Sequence, residues 1–125
     1  MSTLEISEII ATGETAGRAV SGIAAAWVNF DGTGTAAIRD SMNVASLTDN
    51  GTGDYTVNFS NSMANTNVSS VFGWNFTVGV YGGGPFGLKT TTPVAVGSIR
   101  VGSHSGSLSA EDNKFLNVAI HGDLA

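Results

Sequence analysis

Apolar and polar residues alternate at period two along most of this chain, most clearly from Ala24 onward. Ala26, Val28 and Phe30 share one side, Trp27 and Asn29 take the other, and the run stops at Asp31-Gly32-Thr33-Gly34. Such alternation marks a half-buried strand, and an Asp-Gly step between two alternating runs predicts a hairpin, with Gly34 placed as a bulge residue. Ala36, Ile38, Asp40, Met42 and Val44 then line one face of the returning strand, with Ala37, Arg39, Ser41 and Asn43 opposite. A second turn at Asp49-Asn50-Gly51-Thr52-Gly53 leads into Asp54–Phe59, where Tyr55, Val57 and Phe59 share a face. The longest alternating run covers 71–81, with Phe72, Trp74, Phe76, Val78 and Val80 on one side and small residues on the other. Helical spacing would wrap those bulky residues around a whole cylinder, so the run predicts a strand, here the centre of the core with Trp74 inside it.

The remainder is shorter and more broken. Gly82-Gly83-Gly84-Pro85-Phe86-Gly87 and Thr90-Thr91-Thr92-Pro93 predict a loop. Residues 94–101 and 115–120 alternate again, and 102–114 read as turns and a polar connection. The sum is an all-β chain of about six or seven antiparallel strands, arranged as a β-sandwich or small barrel. Residues 1–22 stand apart. Leu4 and Ile6 alternate with Glu5 and Ser7, and Ile9-Ile10 runs into a glycine-bearing turn. We therefore divide the chain into an extended N-terminal arm, 1–22, and a β-domain, 23–125. Leu4, Ile6 and Ile9 are the arm's candidate contacts, by strand pairing with a neighbour.

Composition narrows the function. At 125 residues the chain forms one domain with a small core, which gains stability from association. Ten acidic residues against five basic ones leave a charge of −5, which excludes a general nucleic-acid binder. Without cysteine there are no disulfides, thiolate zinc sites or cysteine nucleophiles. No apolar run reaches the length of a membrane-spanning helix, and the N-terminus lacks the basic start and apolar stretch of a signal peptide. Serine, threonine, asparagine and 17 glycines describe a surface or assembly protein more readily than an enzyme.

The segment Ala26-Trp27-Val28-Asn29-Phe30-Asp31-Gly32-Thr33-Gly34-Thr35 opens a longer pattern. It continues in Ala37-Ile38-Arg39-Asp40-Ser41-Met42-Asn43-Val44 and Thr48-Asp49-Asn50-Gly51-Thr52-Gly53-Asp54-Tyr55-Thr56-Val57-Asn58-Phe59. The pattern resembles a recurrent domain of bacteriophage tail-fibre and related virion proteins. The ending Val118-Ala119-Ile120-His121-Gly122-Asp123-Leu124-Ala125 looks like the close of the same domain, and residues 2–10 look like a fibre attachment segment. The resemblance implies a virion structural protein, a homotrimer bound to other tail or capsid proteins. It leaves open a short tail fibre, a tail adaptor, a capsid decoration protein, and a module that recognises a glycan or protein receptor on the host surface. No shaft or heptad repeat separates arm and domain, unlike the longer fibres of this type.

Candidate chemistry is sparse. Gly83-Gly84-Pro85-Phe86-Gly87-Leu88-Lys89-Thr90 approaches a phosphate-binding loop, but Leu88 occupies the position of the required glycine and Pro85 lacks an N–H. The loop reads instead as a display surface, with Tyr81, Phe86 and Lys89 as contacts for a ligand. His104 and His121 have no acidic partner at metal-ligand or triad spacing. Asp31, Asp40, Asp49 and Asp54 read as turn-capping side chains rather than calcium ligands. The Asn-x-Ser/Thr matches at Asn58, Asn67 and Asn75 are expected by chance in this composition. Trp27 places apolar bulk on the second face of its strand, as at an oligomer interface. Arg39 and Arg100, each mid-strand among small polar residues, are candidates to pair with an acid across that interface. The sequence thus predicts no cofactor, no metal, no catalysis and no membrane insertion, and a place in the virion.

Overall fold

The computed structural model describes residues 1–10, 12–74, 85–89 and 93–125. In chain order the strands are β1 (Glu8–Ile9), β2 (Arg18–Ala19), β3 (Ala24–Asp31), β4 (Ala37–Met42), β5 (Val44–Gly51) and β6 (Asp54–Phe59). They continue with β7 (Ser69–Trp74), β8 (Phe86–Leu88), β9 (Val94–Ala95), β10 (Ser98–Ser103) and β11 (Leu116–His121). One antiparallel sheet has the order β4-β3-β11-β7, and the other has the order β5-β6-β10-β8 with β9 also paired to β10. The fold is an all-β, sandwich-like domain of two antiparallel sheets, as the alternation predicts. Its strands outnumber the expected six or seven because β8 and β9 are too short to register as periodic runs.

Alternation decides which side chains enter the space between the sheets. Ala26, Val28 and Phe30 of β3 and Leu116, Val118 and Ile120 of β11 are buried from one side. Tyr55 and Val57 of β6 and Ile99 and Val101 of β10 are buried from the other. A chain of edge-to-face rings crosses this core: Tyr55 to Phe30 at 5.1 Å, Phe30 to Phe86 at 6.2 Å and Phe86 to Phe72 at 5.4 Å. Such pairs add about 0.5–1.5 kcal/mol each beyond the area they bury.

The hairpin at Asp31-Gly32 joins β3 to β4, and Gly34 adopts a left-handed φ of 63°. Its second arm departs from simple alternation. Asn29 faces Asp40 while Phe30 faces Ile38, so Arg39 is the extra residue of a β-bulge. The bulge exchanges faces: Ile38 packs on the core, but beyond it Ser41 turns inward and Met42 turns outward beside Trp27. The expectation that Ile38, Asp40 and Met42 share one face is corrected accordingly.

Asn43, at φ 56°, then carries the chain from one sheet to the other. Its carboxamide donates to the carbonyls of Ala25 and Asn61 and accepts from the Asn61 N–H at 2.7 Å, which ties the corner to both layers.

The centre of the core also differs from expectation. β3 and β11 hold the middle of the four-stranded sheet, whereas β7 lies at its end. Trp74 is 43 % exposed, so it is not a core residue, while Phe72 is half-buried against the core. Phe76, Val78 and Val80 lie outside the described residues. Where a loop was expected at 82–92, residues 86–88 form β8 on β10. In the arm, β1 pairs with β2 rather than extending over Leu4 and Ile6.

Candidate functional site

Two outer faces remain once the core is built, and they differ in chemistry. On the five-stranded sheet, outward side chains bond to one another. The Asn58 amide donates to Ser46 Oγ at 3.1 Å and Thr48 Oγ1 at 3.0 Å, and Asn50 donates to Thr56 Oγ1 at 2.9 Å. Asp54 closes the row with an ion cluster. Its carboxylate receives Arg100 through Nε at 2.8 Å and Nη2 at 2.6 Å, and Lys89 Nζ at 2.7 Å. The Arg100 guanidinium, joined by Lys89, holds the Asp54 carboxyl well below the usual carboxylate range despite its burial. Lys89 and Arg100 are therefore engaged with an acid of their own chain.

Next to Asp54, Tyr55 points the other way into the core and donates its hydroxyl to Asp112, with the Gly32 carbonyl 3.0 Å away. Burial, with the Asp112 carboxylate second, pushes the phenol far above its ordinary value. The Gly53 N–H also donates to Asp112 at 2.7 Å, and Asn113 donates to Ser103 Oγ. These bonds pin the 104–115 connection to the turn before β6. Gly53 has a φ of 62°, and a Cβ there would collide with the Ser103 carbonyl, so only glycine fits.

The outer face of the four-stranded sheet is the candidate site. Strand register aligns Met42, Trp27, Ala119 and Val71 in one row across all four strands. Met42 and Val71 are 40 % and 60 % exposed, and Trp27 and Ala119 are half-buried. The adjacent outward row is Asp40, Asn29, Asn117 and Gly73. Because Gly73 and Ala119 are small, the surface sinks between Trp27 and Val71 into a shallow depression of about 400 Å³. An apolar stripe therefore borders a small polar trough.

Arg39 stands at the end of this face nearest the hairpin. Its Nη2 donates to Asp31 at 2.8 Å and to the Lys114 carbonyl at 2.6 Å, and Nη1 to Asn29 at 3.3 Å. The guanidinium lies 4.3 Å from the centre of the Phe115 ring. Arg39 thus pairs within its own chain. The Asp31 carboxyl is held below its ordinary range first by hydrogen bonds from Thr33, with Arg39 adding a smaller attraction.

The other sequence candidates fall elsewhere. Leu4, Ile6 and Ile9 are exposed on the arm, at 82 %, 48 % and 45 %. Phe86 is 5 % exposed inside the aromatic chain, so it is a core residue and not a displayed contact. Tyr81 lies outside the described residues. The His104 ring nitrogen sits 3.3 Å from the Pro85 carbonyl, and His121 pairs in β11 far along the chain from it. Asp31 and Asp49 accept the N–H groups two residues on, both at 2.9 Å, as turn-capping side chains do. Among the described residues no three His, Asp or Glu side chains converge on a common point.

Sequence reading found Trp27 but not Met42, Ala119 or Val71 as its neighbours. Their only common signal is cross-strand register, which joins residues up to 92 positions apart. Comparison with known protein families, with curated proteins and with solved structures returns no match.

Proposed function

We propose that the chain is a structural subunit of a bacteriophage particle, a short tail-fibre-like or tail-adaptor component that assembles with copies of itself and is anchored by its arm. A capsid decoration protein is the neighbouring form of the same reading. The work is mechanical rather than catalytic: apolar burial and strand pairing hold the assembly in the virion. The virion setting rests on the resemblance carried by residues 26–59 and 118–125.

The observation that carries the assembly reading is the arm. Leu4, Ile6, Ile9 and Ile10 are all exposed, and among the described residues the core draws on none before Ala25. An exposed segment of this apolarity gains free energy only when another surface covers it, at about 25 cal/mol per Å². Receptor recognition through the 82–92 loop is less supported, because Phe86 is spent in the core and Lys89 on Asp54.

Deleting residues 1–22 tests the reading. The truncated domain is expected to keep its β-sheet circular dichroism and to be absent from gradient-purified particles that contain the full chain. Normal incorporation of the truncated domain, or absence of the full chain from particles, would overturn it.

A further inference from the structure

We propose that the Asp49-Asn50-Gly51 corner is a modification site, where Asn50 deamidates spontaneously to aspartate or isoaspartate with Asp49 taking up the proton. The inference stands independently of the assembly reading.

The corner ends β5 at its hairpin to β6. Asp49 pairs with Tyr55 and Gly51 with Asp54, so Asn50 is the unpaired residue of a β-bulge. All three residues are exposed, and a Cβ at Gly51 would meet nothing within 4 Å, so water reaches the site freely. Asn50-Gly51 is the one Asn-Gly step in the sequence. A glycine after asparagine has no Cβ to shield its backbone nitrogen from the asparagine side chain. The Gly51 N–H donates to Asp49 Oδ1 at 2.9 Å, within the reach of a general base for the proton it removes.

The chemistry needs only water as a further reactant. The Gly51 nitrogen bonds to Asn50 Cγ while its proton passes to Asp49. The Cγ–Nδ2 bond then breaks, and the departing nitrogen takes that proton and leaves as ammonia. Water opens the remaining cyclic imide at either carbonyl, which gives aspartate or isoaspartate. No electron is gained or lost.

The fold favours this corner over the Asp31-Gly32 step, which can form the same imide. Gly32 is buried, its N–H donates to the Asn113 carbonyl at 2.9 Å, and Asp31 accepts from Thr33 and Arg39. At Asn50 the product also changes the surface. Its Nδ2 donates to Thr56 Oγ1 at 2.9 Å and to Asp54 Oδ1 at 3.5 Å. A carboxylate in its place removes the donor and sets two like charges together beside Arg100 and Lys89.

Peptide mapping by mass spectrometry tests the proposal on the full chain, incubated warm at mildly alkaline pH. The folded wild type is expected to gain one dalton at residue 50. Part of that product should be a substrate for an isoaspartyl methyltransferase, while the Asp31-Gly32 step yields no isoaspartate. Asp49→Ser keeps a hydroxyl acceptor for the Gly51 N–H but removes the base, so its folded-state rate should fall severalfold. In urea, where the corner is lost, the two proteins should deamidate at equal rates. A folded wild type that keeps Asn50 while the unfolded chain loses it overturns the proposal. Equal folded-state rates for wild type and Asp49→Ser overturn it as well, because the conversion then owes nothing to this geometry.

Discussion

Asp54 shows how one side chain ties distant parts of the chain together. It lies at the start of β6, and its two cationic partners come from positions 35 and 46 residues later. The carboxylate is nearly buried while both cations keep solvent contact, so its removal lets them rehydrate and the cost stays moderate. Asp54→Asn should lower stability near pH 7 by about 1–3 kcal/mol. Because the folded-state pKa lies below the unfolded one, Asp54 contributes in full above the ordinary carboxylate range, and its share is lost as pH falls below about 4 toward the folded value. The gap between the thermal midpoints of the two proteins should therefore narrow from pH 6 down to about 2. A gap that stays constant over that range would show that the Asp54 charge contributes nothing to stability. The sequence places Arg100 mid-strand, but no local feature marks Asp54 as its partner, since a contact over 46 residues depends on which strands pair.

Among the elements, the β4–β5 corner depends most on a single residue. Asn43 adopts a conformation that costs an ordinary L-residue roughly 1–2 kcal/mol, and it bonds to both sheets. Asn43→Ala should reduce unfolding free energy by about 2–3 kcal/mol. Asn43→Gly, which loses the bonds but not the backbone freedom, should cost about 1 kcal/mol less. Urea midpoints at constant slope measure both, and an alanine variant as stable as the glycine variant would contradict the account. A run of alternating residues through position 43 conceals this corner, because an αL residue changes direction without changing period. The bulge at Arg39 is hidden for a similar reason. One added residue exchanges the faces beyond it, which is how Met42 comes to lie beside Trp27. The 71–81 run misled in another way: period two identifies a strand but says nothing of its rank in the sheet.

For the whole molecule, the proposed self-association has a thermodynamic signature. Subunits that bind each other only when folded stabilise the native state by mass action, so the thermal midpoint should rise over about a hundredfold range of protein concentration. A concentration-independent midpoint would contradict self-association. At this scale, sequence and tertiary structure divide the information cleanly. Period-two alternation, the Asp31-Gly32 hairpin and the shared faces of β3 and β6 follow from the sequence alone, because each depends on neighbours only a few residues away. Strand order, the place of Phe86 in the core, the partners of Arg39 and Arg100, and the row from Met42 to Val71 do not. They depend on non-local pairing, which is selected by total burial across both sheets and leaves no trace in any single window of sequence.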